Sequence, residues 1–433
     1  MLLKSKNTIL RTLLPFAVIA LCGLFCCCNK AETSSETVIG TAETDISWED
    51  ISEDYLNESE DKSQSEETDQ GYDLPVNESE RKEAEEDCRK VMGYIENIYL
   101  QADKGEASNV VLANEPLLQM KTTLGETGCP VTAVVTYSDM ENYEVMDSFL
   151  NSCREGIEGS VILYEVRSHG GIGRKKYQFD GKNLYVLSSD VAWNVKNQPV
   201  ISYISYTRLK KWDYTEKGWF CYELCVPEES EVSEVVDGSQ MVRVKPLGEE
   251  KRRMSELCVE KVGYQGNNLL CSDWDTEHMD KLDYNGIYEY LYQMKYQKKY
   301  CPEEDQTGIP AGEFESLLME YLPVTAEQIR SWAVYDPETE SYGWADLGFA
   351  NGALSFLGNS FPEVTDIQDN GEGTITLTVD AVCEKVQCNE AFITHELTVR
   401  FADDGSFQYV GNKVLGNGLD KMPEYQYRMG NQS

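Results

Sequence analysis

The chain has 433 residues, of which 76 are Asp or Glu and 38 are Lys or Arg, so its formal net charge at pH 7 is −38. Such an excess of negative charge argues against binding to the phosphate backbone of nucleic acids. The length allows two folded domains of ordinary size in addition to terminal segments.

The N-terminus has the pattern of a secretory signal. It begins with three basic residues, Lys4, Lys6 and Arg11. An apolar run from Leu13 to Phe25 follows, which is shorter than the roughly 20 apolar residues that a bilayer-spanning helix needs. Cysteines occupy positions 26 to 28 directly after this run, whereas a zinc knuckle needs ligands in spaced pairs. A cleaved signal followed by lipidation is the first interpretation, and an uncleaved signal anchor is the alternative.

The stretch Leu24-Phe25-Cys26-Cys27 resembles the lipobox of bacterial lipoproteins, in which Leu stands three residues before the modified cysteine. The resemblance makes Cys27 the lipidated residue and residues 1–26 a lipoprotein signal peptide. Because Phe25 is bulkier than the pattern prefers and Cys26 stands in place of a small residue, Cys28 and Cys26 remain alternatives. The resemblance implies cleavage before that cysteine and diacylation (palmitate or a similar chain). Its lipid then holds the protein at the extracytoplasmic face of the cell membrane.

Residues 27–80 have the composition of a disordered linker. Between Ala31 and Glu80 the only basic residue is Lys62, among many Glu, Asp, Ser and Thr. Such a segment buries too little apolar surface to offset the entropy of ordering, and its charges repel one another. We therefore expect an extended acidic tether between the membrane and the folded body.

The first folded domain is predicted at residues 81–230. Amphipathic spacing predicts helices over residues 85–104 and 141–156. Alternating apolar and polar residues predict strands at 130–138, 160–168, 175–181, 182–189, 200–215 and 218–226. Gly-containing turns between these strands, including a hairpin loop at His169, favour an antiparallel meander.

The second folded domain is predicted at residues 241–433, after an acidic run from Pro227 to Gln240 that forms the boundary. Helices are predicted over residues 285–300, 311–322 and 325–335, the last with a capping box of Thr325 and Gln328. Strands at 373–386 and 391–414 form a second meander, and the final residues are expected to fray. The whole body is therefore predicted as α+β, with amphipathic helices packed on antiparallel meanders.

Two stretches of this second domain carry a further resemblance. The segments IPAGEFESLLMEYLPVTAEQIRSWAVYDPETESYGW and THELTVRFADDGSFQYVGNKV resemble uncharacterised lipoproteins of clostridial-type bacteria. The resemblance offers no catalytic residues, and it agrees with the compartment that the lipobox implies.

The sequence contains few candidates for a metal site or a disulfide. Cys383 and Cys388 flank a predicted hairpin turn and are the candidate disulfide, the alternative being buried free thiols. The acidic cluster from Cys271 to Asp283 lacks the Gly and Glu of a calcium loop, so we interpret it as a helix start with Asp275 or Thr276 as N-cap. His395 is predicted on the solvent face of its strand. The sequence thus predicts no metal site and no cofactor.

The aromatic residues give the main hint of function. The chain has 26 Tyr and 7 Trp, clustered at 200–214, 288–300 and 335–344. Such residues favour recognition surfaces for protein or glycan, although they also serve half-buried core positions. Because no catalytic motif stands in a matching context, the prediction is a non-enzymatic binding or scaffold module at the cell envelope. The alternative is an envelope hydrolase that cleaves glycan or peptide with unidentified carboxylates.

Overall fold

The computed structural model describes residues 70–106, 109–227, 237–302, 308–345, 347, 357–358, 360–383 and 391–429. The predicted signal peptide and its cysteines lie outside these residues, as does the predicted linker up to residue 69. The last eleven residues assigned to the linker, residues 70–80, belong to the folded body. The N–H of Leu74 donates to the carbonyl of Tyr206 at 2.9 Å, and the first helix begins at Glu78.

The described residues contain α-helices at all five predicted places. They are α1 (Glu78–Gln101), α2 (Asn114–Gly125), α3 (Tyr143–Arg154), α4 (Glu249–Met254), α5 (Tyr284–Tyr296), α6 (Ala311–Tyr321), α7 (Ala326–Trp332) and α8 (Gly418–Lys421). A π-helical turn, Ser255–Val259, continues α4, and a 3₁₀ turn, Met279–Lys281, precedes α5. The capping box of Thr325 and Gln328 is confirmed at the start of α7. Helices α2, α4 and α8 were not predicted.

The first sheet has seven strands in chain order. They are β1 (Val131–Ala133), β2 (Gly159–Val166), β3 (Ile172–Phe179), β4 (Leu184–Trp193), β5 (Pro199–Tyr214), β6 (Trp219–Leu224) and β7 (Ser239–Arg243). Strands β2 to β7 pair antiparallel, which confirms the predicted meander, and β1 pairs parallel to β2. The strand predicted at 130–138 was too long, because the chain turns after Ala133 and the N–H of Ser138 donates back to the carbonyl of Val135.

The two faces of this sheet are covered differently. Helices α1 and α2 pack on one face, where Met92 and Ile95 of α1 meet Val166 and Ile172. The other face encloses a second core with α3, which includes Phe149, Tyr177 and Phe220. This second core fills the face of the sheet beside α3, and polar side chains take its place further along β2 and β3.

The second sheet has five strands, ordered β12-β13-β14-β15-β8, and a small three-stranded sheet accompanies it. The strands are β8 (Trp274–Asp275), β9 (Ile309–Pro310), β10 (Tyr335–Asp336), β11 (Ser341–Tyr342), β12 (Phe361–Gly371), β13 (Thr374–Val382), β14 (Ala391–Phe401) and β15 (Phe407–Val414). Every pairing in both sheets is antiparallel, and α4 to α7 pack against the five-stranded sheet around one shared core. The predicted α+β class is confirmed.

The predicted N-cap of the helix after the acidic cluster was wrong. The helix after the acidic cluster begins at Tyr284, and its N-cap is Asp283, which accepts from the N–H of Gly286 at 2.9 Å. Asp275 instead closes a turn, accepting from the N–H groups of Glu277 and His278. Both aspartates accept from N–H groups two or three residues further along the chain, so the sequence alone did not distinguish the turn at Asp275 from the helix cap at Asp283.

The C-terminal residues are docked up to residue 429, where fraying was predicted. The hydroxyl of Tyr425 donates to Asp283 at 2.7 Å. Arg428 is buried and its Nη1 lies 2.7 Å from Glu289 Oε1. These polar contacts to α5 and its cap hold the segment against the body.

His395 lies in the core, so its predicted solvent-facing position was wrong. Its Nδ1 lies 2.6 Å from Asn412 Oδ1, and its Nε2 lies 2.9 Å from the Tyr264 hydroxyl. Since the Asn412 amide nitrogen donates to the carbonyls of Leu270 and Ser272, its oxygen faces the ring and Nδ1 must donate. Burial lowers the pKa of His395 to about 4, so the ring is neutral at physiological pH.

The described residues, from residue 70 to residue 429, form one compact unit. Polar contacts join the first sheet to the second within it, among them Arg243 Nη2 to Glu363 Oε1 at 2.8 Å. The predicted domain boundary between residues 230 and 241 stays a prediction.

Candidate functional site

The two edge strands of the first sheet border a common pocket. Strands β1 and β7 are first and last in the strand order, yet residues of both line one cavity of about 490 Å³. The sheet therefore curls until its edges approach each other. Phe361 and Glu363 of β12 and the loop of residues 134–139 complete the wall. A cavity of this size falls in the range of small-molecule and cofactor sites.

The inner wall of the pocket is an ion network on β2 and β3. Glu165 Oε1 lies 2.9 Å from Lys175 Nζ, and its Oε2 lies 3.1 Å from Arg167 Nη2. Arg167 also approaches Asp190 at 3.6 Å, and Lys175 donates to the Tyr222 hydroxyl at 3.2 Å. Glu165 and Lys175 stand two positions from the core residues Leu163 and Tyr177 on the same strands, so the polar network lies on the same face of the sheet as the apolar core beside α3.

Both cations of this network stay charged at neutral pH. Burial opposes the charge on Lys175, but Tyr222 and Glu165 outweigh it and raise the lysine pKa above its usual range. Burial likewise opposes the charge on Arg167, and Glu165 and Asp190 raise its pKa. Glu165 Oε2 is buried and accepts no hydrogen bond of good geometry from a described residue, so its charge is balanced by the neighbouring cation Arg167.

The outer wall combines an arginine with aromatic rings. The Arg243 guanidinium carbon lies 4.7 Å from the centre of the Trp219 ring, within cation–π range. Its Nη2 donates to Glu363 Oε1 at 2.8 Å and its Nη1 to the Lys217 carbonyl at 2.8 Å. Phe361 packs edge-on to Trp219, with ring centres 6.3 Å apart. This wall presents apolar ring surface beside a fixed charge pair.

Glu363 is the titratable group of the pocket whose pKa lies near neutrality. Burial raises its pKa from 4.5 to about 7, although the Arg243 charge opposes the rise. Asp380, its partner across β12 and β13, adds to the rise because two carboxylates disfavour joint ionisation. Asp380 is itself held by Lys217 Nζ and by the Thr394 hydroxyl at 2.7 Å.

The loop after β1 closes one side of the pocket. Tyr137 adopts a left-handed backbone conformation with φ of 58°, and its hydroxyl donates to the carbonyl of Pro362. Asp139 accepts from the N–H of Leu247 at 3.2 Å and pairs with Arg252. A strained backbone held by contacts from distant segments is typical of functional loops. The sequence offered no local signal for it, since PVTAVVTYS has the alternation of a strand.

Of the predicted site residues, Cys26, Cys27 and Cys28 lie outside the described residues. Cys383 is buried and disulfide-bonded. Free thiols are found at Cys88, Cys129, Cys153, Cys225, Cys258, Cys271 and Cys301. Because Cys388 lies outside the described residues, its pairing with Cys383 stays a prediction.

The aromatic clusters found in the sequence serve mostly the core. Tyr214, Tyr288 and Tyr342 are at most 1 % exposed, whereas Tyr203 and Tyr296 are about half exposed. The pocket instead uses Trp219 and Phe361, which the sequence did not single out.

In the part of the chain that the structure describes, no three or more His, Cys, Asp or Glu side chains are grouped as metal ligands. No helix there is long and apolar enough to cross a membrane.

The fold and the pocket define an α+β protein with a charged, preformed cavity between the edges of a curled sheet. Residues 81–428 match the family DUF6070, described as a family of unknown function. Because this match covers most of the chain, the protein belongs to that family. No curated protein and no solved structure matches the chain.

Proposed function

We propose that the protein is an extracytoplasmic lipoprotein whose folded body binds an envelope ligand in the pocket between β1 and β7. Cys27, or alternatively Cys28 or Cys26, carries the lipid. The ion network of Glu165, Arg167 and Lys175 is the observation that carries the binding function. These groups are held by one another before a ligand arrives, and a preorganised polar wall lowers the cost of binding.

The same pairing favours binding over catalysis. A general acid or base must reach the proton of a substrate. Glu165 is already held by two cations, and Glu363 is 2 % exposed with an oxygen bonded to Arg243. These carboxylates are therefore engaged in structure.

A hydrolase acting on glycan or peptide is the second candidate, and Glu363 is the reason to keep it. A carboxyl group with a pKa of about 7 suits a general acid, and Glu165 lines the same pocket as a second carboxylate. Incubation with soluble envelope glycan and peptides, followed by product separation, tests this candidate. Products formed by the wild type and lost in both Glu363→Gln and Glu165→Gln would favour hydrolysis over binding.

Metabolic labelling with an alkyne palmitate tests the anchor. In a bacterial host that processes lipoproteins, we expect label on the wild-type protein in the membrane fraction. Replacing Cys26, Cys27 and Cys28 together by Ala should abolish the label and release the protein. Label that persists in this triple variant would overturn the lipoprotein proposal.

A pair of valine variants tests the pocket. Val134 lines it, whereas Val195 is fully exposed on the turn between β4 and β5 and does not line it. Soluble envelope glycan fragments and short peptides are titrated against the purified protein. Val134→Trp should weaken the binding found for the wild type by about tenfold, while Val195→Trp leaves it unchanged. Equal binding by the two variants would remove the pocket from the proposal.

A further inference from the structure

The turn between β5 and β6 carries a lysine that reaches across to the second sheet. Lys217 Nζ contacts Asp380 Oδ2 of β13 directly, although the two residues are 163 positions apart in the sequence. Asp380 is buried, while the side chain of Lys217 is 43 % exposed, so the amine reaches the carboxyl group from the surface. A primary amine is therefore held against the carboxyl group of a buried aspartate.

The backbone of Lys217 is fixed in this position. Its carbonyl accepts from Arg243 Nη1 at 2.8 Å, and the N–H of Gly218 donates to the carbonyl of Thr215 at 3.0 Å, which closes the turn. Gly218 has a φ of 89°, a conformation that favours glycine. A fixed turn facing a paired strand removes much of the freedom that the amine and the carboxyl group have in solution. Well-oriented groups of this kind react as if one of them were present at roughly 10⁵ M or more.

Two further side chains lie beside the Asp380 carboxyl group. The Thr394 hydroxyl donates to Asp380 Oδ1 at 2.7 Å. Glu363 is the direct cross-strand neighbour of Asp380, and side chains in such a pair have Cβ atoms about 5 Å apart. Burial raises the pKa of Glu363 to about 7, so near neutral pH its carboxyl group is present in both the protonated and the ionised form. A group that donates and accepts protons near neutral pH thus stands next to the amine–carboxyl contact.

We propose that Lys217 and Asp380 become joined by an amide bond between their side chains, with Glu363 as the group that transfers protons. The folded chain carries out this reaction on itself, because it brings the three side chains together. The bond closes a loop between residues 163 positions apart and joins the first sheet to the second covalently. The proposal goes beyond the proposed binding function and does not depend on it. The alternative is a salt bridge that stays ionic.

The reaction is a condensation that releases one water molecule and needs no co-reactant. A proton first passes from the Lys217 ammonium group to Asp380 Oδ2, and burial favours the resulting neutral pair because a buried charge costs more free energy than a buried neutral group. The amine nitrogen then attacks Asp380 Cγ, and the Thr394 hydroxyl stabilises the negative charge that develops on Oδ1. Glu363 donates its proton to Oδ2, the bond between Cγ and Oδ2 breaks, and water leaves. The nitrogen returns one proton to Glu363, which ends the reaction unchanged.

Peptide mapping of the full-length wild-type protein tests the bond directly. The purified protein is reduced, denatured and digested with trypsin, which does not cleave after a lysine whose amine is acylated. We expect a branched peptide that joins residues 212–243 to residues 331–385 and is lighter than the two together by one water molecule. Fragmentation in the mass spectrometer should place the link at Lys217 and Asp380. A peptide that ends at an unmodified Lys217, with no branched peptide, would overturn the proposal.

A second lysine–carboxylate pair is the matched control in the same digest. Lys295 Nζ lies 2.5 Å from Glu320 Oε2, but the two side chains are 34 % and 42 % exposed. Hydrated groups at the surface stay ionised, and an ammonium group is not a nucleophile. We therefore expect trypsin to cleave after Lys295 in the same sample. A link between Lys295 and Glu320 would show that contact alone is sufficient, which would overturn the role assigned to burial and to Glu363.

Two variants separate the bond from the ion pair and from proton transfer. Lys217→Arg keeps the positive charge, but its guanidinium group stays protonated and forms no amide, so the branched peptide should be absent. Glu363→Gln keeps an acceptor for Arg243 but does not transfer protons, so the branched peptide should form roughly a hundredfold more slowly. Its fraction is followed over hours in full-length protein made by cell-free synthesis. Equal rates for the wild type and Glu363→Gln would overturn the role of Glu363, and the wild-type digest decides on the bond even if neither variant folds.

Discussion

Glu363 links the pocket to the pH dependence of stability. Its pKa rises from an ordinary 4.5 to about 7 on folding, first because it is buried and then because Asp380 lies opposite. The folded protein thus holds this proton more tightly than the unfolded chain. The stabilisation is fully present below pH 4.5 and is lost as the pH rises through about 7.

Glu363→Gln should remove this part of the pH dependence. Its amide oxygen can still accept from Arg243, and it does not ionise. Between pH 4.5 and 8 the wild type should lose roughly 3 kcal/mol relative to the variant, measured by urea unfolding across that range. Glu372→Gln, in an exposed turn, is the control. Identical pH profiles for the wild type and Glu363→Gln would contradict the expectation.

His395 shows which part of a residue's environment can be predicted from the sequence and which part cannot. The residues two and four positions further along β14, Leu397 and Val399, are fully buried, as is His395. The alternation of apolar and polar residues along the strand therefore indicated that His395 is buried. The prediction that it faces solvent gave more weight to the polarity of histidine. What no pattern contained was the pair of partners, Tyr264 and Asn412, that satisfies both ring nitrogens. Such partners come from distant segments, and their hydrogen bonds offset the free-energy cost of burying a polar ring.

Helix α1 is attached to the first sheet through a buried arginine. Arg174 of β3 is 0 % exposed; its Nε donates to Asp87 at 2.7 Å and its Nη2 to Glu83 at 3.2 Å. The Tyr164 hydroxyl donates to the same Asp87 carboxylate at 2.6 Å. Loss of Asp87 would leave a buried cation with a single exposed partner.

Asp87→Ala should therefore lower the free energy of unfolding by roughly 3 kcal/mol in chemical denaturation. Glu85→Ala is the matched control on the same helix, because its pair with Arg89 is exposed at the surface and worth less than about 1 kcal/mol. Replacing Arg174 by Met in the Asp87→Ala background should recover part of the loss. Equal destabilisation by the two alanine variants would show that Arg174 does not depend on Asp87.

Elements with local signals were predicted, and elements set by distant contacts were not. The buried face of α1 and the capping box of α7 follow from residues within a few positions of each other. The end of β1 at Ala133 depends instead on a turn whose Tyr137 hydroxyl bonds to Pro362. The first residues of β12 also contact β7, which is distant in the sequence, so no local pattern indicates this contact.

At the scale of the whole molecule, the α+β class could be predicted and the pocket could not. A meander is indicated by alternating apolar and polar residues within each strand and by turn residues between strands, and both signals are local in the sequence. The pocket joins Tyr137, Glu165, Arg243 and Glu363, which lie far apart in the sequence. None of these residues is distinguished from the many other Tyr, Glu and Arg residues until the sheet curls.

The polar contacts between the two sheets bear on how the body unfolds. Arg243 and Lys217, from β7 and the turn before β6, bond to Glu363 and Asp380 on β12 and β13. Both acceptors are 2 % exposed. Separating the two sheets would leave the buried carboxylates Glu363 and Asp380 without their cations, which costs free energy. The unfolding of one sheet is therefore coupled to that of the other.

We therefore expect one cooperative transition for both sheets rather than two. Amide hydrogen exchange measures this, because β3 and β14 should report the same opening free energy in the wild type. Replacing Lys217 and Arg243 together by Ala should separate the two values. Lys210→Ala is the control, since its exposed pair with Glu223 lies within the first sheet. Two separate opening free energies in the wild type would instead favour the predicted domains at 81–230 and 241–433, and would show that each sheet with its helices is stable without the other.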